Sequence, residues 1–173
     1  LNSQSKYNEV RFKEIHSNLD EKGIHFVVAS GNQYYQLKDF FTDYDDIDYV
    51  AENGALIRNP EKVYTVHSYP TEAVKAIEKF LLDQVPNLNF LVCGEQAAYG
   101  LDILPEKYFK MSSHYYHHLE KIKSFSDIHD KILKFAVQCP DEKTDYFVQL
   151  FKDNLSQYSG ATSSGHGDID IIQ

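Results

Sequence analysis

The sequence predicts an α/β fold, a parallel sheet with flanking helices, joined to a smaller α+β module. Three observations carry this. Up to Ile57, helix-like and strand-like segments alternate with short links, as a parallel sheet covered by helices requires. An apolar run, Phe26-Val27-Val28-Ala29, ends in the turn Ser30-Gly31-Asn32, at the carboxyl end of a strand where open α/β sheets bind ligands. Beyond Ile57 the order changes to a hairpin-type turn followed by helix and strand pairs.

The elements follow in order. Val10, Ile15 and Leu19, with Phe12 beside them, give an apolar helical face between residues 5 and 22, and Gly23 is placed to end it. Residues 24–29 read as a strand. Residues 33–41 read as a short helix with Leu37, Phe40 and Phe41 turned inward. An acidic loop, residues 43–48, leads to a strand over residues 49–57 that is interrupted by the polar step Asn53-Gly54. Arg58-Asn59-Pro60-Glu61-Lys62 forms a hairpin-type turn before the strand Val63-Tyr64-Thr65-Val66. Thr71 can cap a helix whose face is Val74, Ile77 and Leu81. A strand over residues 88–93 precedes Gly94-Glu95-Gln96-Ala97-Ala98-Tyr99-Gly100. Pro105 opens a helix to about His118, and residues 132–139 form a strand closed by Pro140. A helix over residues 141–155 carries Phe147, Leu150 and Phe151. Residues 158–173 form two extended stretches separated by Ser163-Ser164-Gly165-His166-Gly167.

The bulk properties narrow the function classes. The 173 residues are 42% hydrophobic and 25% charged, ordinary for a globular protein with a real core. A formal net charge of −9 argues against nucleic acid or an anionic membrane as partner, since both require basic surface. A bound phosphate would need local amides, a few cations or a metal. Cys93 and Cys139, the only cysteines, fall in apolar strand-like runs and read as buried free thiols. No apolar stretch approaches the roughly 20 residues of a membrane span. The polar start Leu1-Asn2-Ser3-Gln4 is not a signal peptide, and a cytoplasmic location is expected.

The sequence resembles the haloacid dehalogenase (HAD) superfamily and, within it, the Cof-type sugar phosphatases with a subclass IIB cap. The resemblance rests on the stretch Phe26 to Leu37, which holds Ser30-Gly31-Asn32, as the family's second motif and on Tyr49 to Ile57 as its Asn-Gly-Ala step. Cys93-Gly94-Glu95-Gln96-Ala97-Ala98-Tyr99, Leu133-Lys134-Phe135-Ala136 and Ser164-Gly165-His166-Gly167-Asp168-Ile169-Asp170 fit the same branch. It implies part of a Rossmann-like core over residues 1–69, a cap over 70–167 and a return strand toward the core over 168–173. It also implies Mg²⁺-dependent hydrolysis of a small phosphorylated metabolite, a sugar phosphate foremost, through an aspartyl-phosphate intermediate.

Carried over by resemblance, the Ser30 hydroxyl and the Gly31 amide hold the phosphoryl group. Asn32 stands where many relatives have Arg, and Asn53 and Gly54 lie beside the same site. The family's Asp-x-Asp-Gly-Thr motif, which supplies the nucleophile and the acid/base, would precede Leu1, where Leu1-Asn2-Ser3 resembles the residues just after it. The Lys motif and the Mg²⁺-holding Asp pair would follow Gln173. The chain is therefore expected to be the middle of such an enzyme, with most Mg²⁺ ligands outside it, and inactive alone. The alternative is a truncated, non-catalytic remnant that binds phosphate or a protein partner.

Other candidates are weighed against plainer readings. Asp43-Tyr44-Asp45 and Asp168-Ile169-Asp170 have the spacing of the family's aspartates but read as a solvated loop and an alternating strand, and neither is a nucleophile. His114 and His118 stand at i,i+4 on the expected helix, with His117 beside them, a spacing that either binds a metal or merely marks an amphipathic surface. Lys134 reads as a solvent-facing lysine or as a cap cation reaching the substrate. Gln96, Tyr99 and His166 are candidate cap contacts on Gly-containing loops.

Overall fold

The computed structural model describes residues 6–173, which form two sheets with the helices arranged around them. The expected likeness of Leu1-Asn2-Ser3 to a motif boundary lies outside the described residues.

Helix α1 (Glu9–Asp20) starts where the Asn8 side chain accepts the Arg11 N–H, and it ends before Gly23, whose φ of +65° suits a residue without Cβ. Its expected apolar face is used only in part. Phe12 packs edge-on against Phe26 and Tyr44, and the His16 ring, one turn on, lies tilted against Tyr44. Val10 and Ile15 remain exposed, because contact runs along the single i,i+4 column of Phe12 and His16.

Strand β1 (Val27–Ala29) pairs in parallel with β2 (Asp48–Ala51), and α2 (Tyr34–Asp39) forms the crossover, burying Tyr34, Gln36 and Leu37. The parallel relation ends there. The expected single strand over residues 49–57 is instead a hairpin. Glu52, Asn53 and Gly54 all have positive φ (51°, 57° and 93°), and three such residues in succession reverse the chain into β3 (Leu56–Arg58). Strand β4 (Val63–Val66) adds to β3 antiparallel, completing a four-stranded sheet in the order β1-β2-β3-β4.

The second sheet has six strands: β5 (Asn89–Gly94), β6 (Ala98–Leu101), β7 (Leu119–Ile122), β8 (Ile132–Gln138), β9 (Gly160–Gly165) and β10 (Asp168–Ile172). Their spatial order is β7-β6-β5-β8-β10-β9. One face packs against α3 (Thr71–Gln84) and α5 (Thr144–Leu155), through Ile77, Leu81, Phe151 and Leu155 against Val92, Phe135, Val137, Ile169 and Ile171. Alternation sends the neighbours of those strand residues, Leu91, Cys93, Lys134, Ala136, Asp168 and Asp170, to the opposite face. Leu91, Cys93 and Ala136 pack there with Tyr108 of α4 (Glu106–Ser112).

Residues 168–172 form β10, whose Ile169 and Ile171 alternate into the core of the second sheet and which pairs on both sides, with β8 and β9. Two expectations are corrected by the helices. Thr71 is the first helical residue of α3 rather than its cap, the capping position being Pro70 in extended conformation. Helix α4 stops at Ser112, six residues before His118, because the His114 Nδ1 lies 3.0 Å and 3.2 Å from the carbonyls of Lys110 and Met111 and occupies the helix end. Cys93 and Cys139 are buried and free. Among the described residues, no helix is long and apolar enough to cross a membrane.

Candidate functional site

The site begins where β1 stops. The Ser30 N–H donates to the Val50 carbonyl at 2.9 Å and continues the sheet by one residue, after which the chain turns toward α2. The Asn32 N–H donates to Ser30 Oγ at 3.2 Å, and the Asn32 side chain donates to Gln36 Oε1 at 2.6 Å. The Asn32 carbonyl accepts the Glu52 N–H at 3.1 Å, so the turn after β1 and the turn after β2 are bonded to each other. Gly31 is required by its neighbour: a Cβ there would sit 2.3 Å from Asn53 Oδ1.

The second sheet supplies the facing wall. Lys134, in the middle of β8, extends its ammonium across to the first unit. Nζ donates to the Gly31 carbonyl at 2.7 Å and lies 3.1 Å from Glu52 Oε2 and 3.5 Å from Asp170 Oδ1. Asp170 Oδ2 accepts from Asn53 Nδ2 at 2.9 Å. Side-chain exposures of 3% for Lys134, 1% for Glu52 and 8% for Asp170 make this a buried charge cluster rather than a surface pair. Burial works against the Lys134 ammonium, but Glu52 and Asp170 outweigh it and hold its pKa above the ordinary lysine value. Burial raises the Glu52 pKa, with Lys134 opposing. Neither Glu52 carboxylate oxygen has a hydrogen-bond partner among the described residues, so the Lys134 contact is an ion pair.

Between the sheets lies a cavity of about 550 Å³. Gly31, Asn32 and Asn53 line its first-sheet side, and Lys134, Ala136, Asp168 and Asp170 its second-sheet side. Tyr108, Met111, Tyr115 and Tyr116 close another wall, and Thr162 to His166 form the rim at the β9–β10 turn. Asp168 is held above the usual carboxylate range by burial and by the neighbouring Asp170, with His166 opposing.

The segment after α4 is docked on the first unit through α2 and the residue before it. The Gln33 side chain donates to the His118 carbonyl at 2.8 Å and accepts the His118 N–H at 2.9 Å, while Gln36 donates to the His114 carbonyl at 2.8 Å. His118 stacks on Tyr35 with ring centroids 3.5 Å apart, and His117 Nδ1 pairs with Asp39. The histidines expected at helical spacing therefore diverge to three separate partners.

Of the residues singled out from sequence, Gly31, Asn32, Asn53, Lys134 and His166 meet around this one cavity. Ser30 precedes Gly31 in the turn and is not itself part of the lining, and Gly54 serves the turn that presents Asn53. Gln96 and Tyr99 gather elsewhere, around Asp130, whose Oδ2 accepts from the Gln96 N–H at 2.8 Å and from the Tyr99 hydroxyl at 3.0 Å. Alternation along β6 turns Ala98 to the cavity side and Tyr99 to the other, where it packs with Ala97 and Ile122. Lys134 is buried, which excludes the solvent-facing reading. Glu52 and Asp170 carry no sequence signal as a pair. A carboxylate between the apolar Ile169 and Ile171 looks like an ordinary polar strand face until that face is found to border a cavity.

The profile of the haloacid dehalogenase-like hydrolase family matches residues 1–173. The Escherichia coli (strain K12) protein 5-amino-6-(5-phospho-D-ribitylamino)uracil phosphatase YbjI is 31% identical over 173 residues, covering 99% of this chain and 64% of its own length. The crystal structure of SMU.1108c from Streptococcus mutans UA159 superposes with a TM-score of 0.92 at 32% identity, covering 100% of this chain and 66% of that one. The subclass IIB sugar phosphatase BT4131 shares the fold at 13% identity, with a TM-score of 0.71 over 96% of this chain and 63% of that one. The chain thus spans slightly less than two thirds of the length of these relatives, and it belongs to the haloacid dehalogenase-like hydrolase family.

Proposed function

We propose that this chain supplies the phosphate-holding turn and the substrate-enclosing wall of a phosphatase acting on a small phosphorylated metabolite, a sugar phosphate or a related polyol phosphate. The observation that carries the reading is the turn Ser30-Gly31-Asn32 at the end of a parallel strand, whose Gly31 and Asn32 border a cavity that a second sheet closes from the other side. In this reading the Ser30 hydroxyl and the Gly31 N–H hold phosphoryl oxygens, whose charge must be met by fixed donors as the phosphoryl group transfers. Asn32 is committed to Gln36, so it shapes the turn and contributes no cation. Residues 70–167 act as the cap, with β10 part of the same sheet, and exclude water from the reacting group.

The E. coli relative's named substrate joins a uracil to a phosphorylated ribityl chain. Met111 and Tyr115, both exposed on the cavity wall, together with the Gln138 amide, offer an apolar surface and hydrogen bonds suited to such a ring.

The residues described do not build a Mg²⁺ site. Among them, no three of His, Cys, Asp and Glu are grouped to hold a metal ion, and Glu52 and Asp170 already face the Lys134 ammonium. Magnesium and the aspartate nucleophile belong, by the family resemblance, to motifs that do not occur among the 173 residues.

The test uses a polypeptide that carries this chain together with those motifs. With MgCl₂ and a panel of sugar phosphates and ribityl phosphates it should release orthophosphate, and Ser30→Ala should lower kcat/KM by about a hundredfold, the scale of losing one oxyanion donor. Unchanged turnover in Ser30→Ala removes Ser30 from the site. Orthophosphate binding without turnover of any panel member favours the second reading, a binder without hydrolysis.

A further inference from the structure

Lys134 lines the cavity, but its ammonium is turned onto the protein itself. An ammonium carries three N–H groups, and three protein oxygens surround it: the Gly31 carbonyl at 2.7 Å, Glu52 Oε2 at 3.1 Å and Asp170 Oδ1 at 3.5 Å. The ammonium grips a single peptide group, the one joining Gly31 to Asn32. The carbonyl of that peptide accepts from Lys134, and its N–H, carried by Asn32, donates to Ser30 Oγ at 3.2 Å. One amide plane therefore connects the ammonium to the Ser30 hydroxyl.

Two physical consequences follow. Hydrogen bonds in series polarise one another, so a cation on the carbonyl strengthens the N–H on the far side of the same amide. A hydroxyl oxygen that accepts an N–H keeps its own proton free to donate. The peptide is braced from its other side as well. Asn53 fills the space where a Gly31 Cβ would be, and Asp170 holds both clamps, with Oδ1 facing Lys134 and Oδ2 accepting from Asn53 at 2.9 Å. The turn after β2, the middle of β8 and the middle of β10 thus converge on one amide of the phosphate turn.

We propose that Lys134 is a positioning residue: acting through the Gly31–Asn32 peptide, it fixes the Ser30 hydroxyl as a hydrogen-bond donor for a phosphoryl oxygen. This rests on the reading of Ser30 as a phosphate-holding group. It differs from a lysine that touches substrate, since here the cation acts two hydrogen bonds away.

The 173-residue chain itself provides the test. The variant K134M/E52Q removes cation and carboxylate together, which avoids stranding Glu52 as a buried charge. Without ligand, its Asn32 amide ¹⁵N and ¹H resonances should move relative to wild type, while those of Ile77 and Leu81 on the far face stay in place. Titration with inorganic phosphate should give an apparent Kd raised about tenfold in K134M/E52Q and about tenfold in Ser30→Ala, the scale of one charge-assisted hydrogen bond. Combined, the substitutions should be no worse than Ser30→Ala alone, because the lysine acts through that hydroxyl. A lysine that only stabilises the fold would give losses that multiply. Multiplying losses, or an unmoved Asn32 amide, overturn the proposal. A wild-type chain that takes up no phosphate removes Ser30 from a phosphate site, and the Lys134 link then stands or falls on the Asn32 amide alone.

Discussion

Replacing Lys134 by methionine keeps the length of the side chain and deletes its charge, leaving Glu52 and Asp170 without a counter-ion at side-chain exposures of 1% and 8%. Removing one partner of a buried ion pair costs about 3–5 kcal/mol. Asp170 retains its hydrogen bond from Asn53, which places the expected loss near the lower end, about 3 kcal/mol. With a urea dependence of about 2 kcal/mol per molar, the unfolding midpoint should fall by about 1.5 M at about pH 8. The pH dependence gives a second reading. Burial already raises the Glu52 pKa above its ordinary value of 4.5, and Lys134 opposes that rise, so the variant raises it further. A carboxyl whose folded pKa lies above its unfolded one binds its proton more tightly when folded. Stability is then retained below about 4.5 and lost as pH rises through the folded value. The deficit of Lys134→Met relative to wild type should accordingly shrink at about pH 4, and adding Glu52→Gln should restore much of the loss at about pH 8. A midpoint within about 0.3 M of wild type at about pH 8, or a deficit equal at both pH values, would refute the buried-cluster argument.

Other expectations are simpler. Gly31→Ala introduces a Cβ 2.3 Å from Asn53 Oδ1; Asn53 must swing away and lose Asp170, so urea unfolding should show a loss of about 1–3 kcal/mol that Asn53→Ala partly relieves. Phe151→Ala empties a fully buried position between α5 and the second sheet and should cost about 3–5 kcal/mol in the same assay. Cys93 should resist a thiol reagent in the native chain and react only on unfolding, since burial both hides the thiol and raises its pKa; rapid native labelling would contradict its placement.

Local patterns were legible wherever one residue column decides the outcome. Ile77 and Leu81, Phe151, and the alternation of residues 132–139 all face the core as periodicity indicates, because burial of an apolar stripe leaves few alternatives. The hairpin at Glu52-Asn53-Gly54 has no local signature, because apolar residues on both sides of an Asn-Gly step fit one interrupted strand as well as two paired ones. Left-handed φ at Glu52 is imposed by tertiary contacts and has no propensity signature. Residues 113–118 carry a helical pattern yet leave the helix, because periodicity does not report a histidine folding back on its own helix end. At the site, the turn Ser30-Gly31-Asn32 and the step Asn53-Gly54 announced themselves through local backbone chemistry. The partnership of Lys134 with Glu52 and Asp170 did not, since it joins three elements across separations that a linear pattern does not encode.

The docking of residues 114–118 carries a consequence for how such a molecule can change. Gln33 and Gln36 grip main-chain atoms of His114 and His118, which every residue type possesses. Tyr115 and Tyr116, between those anchor points and facing the cavity, can therefore be exchanged without releasing the segment. Attachment and wall chemistry are written in different atoms of the same five-residue stretch, so substitution can change the lining of the cavity while the wall stays where it is.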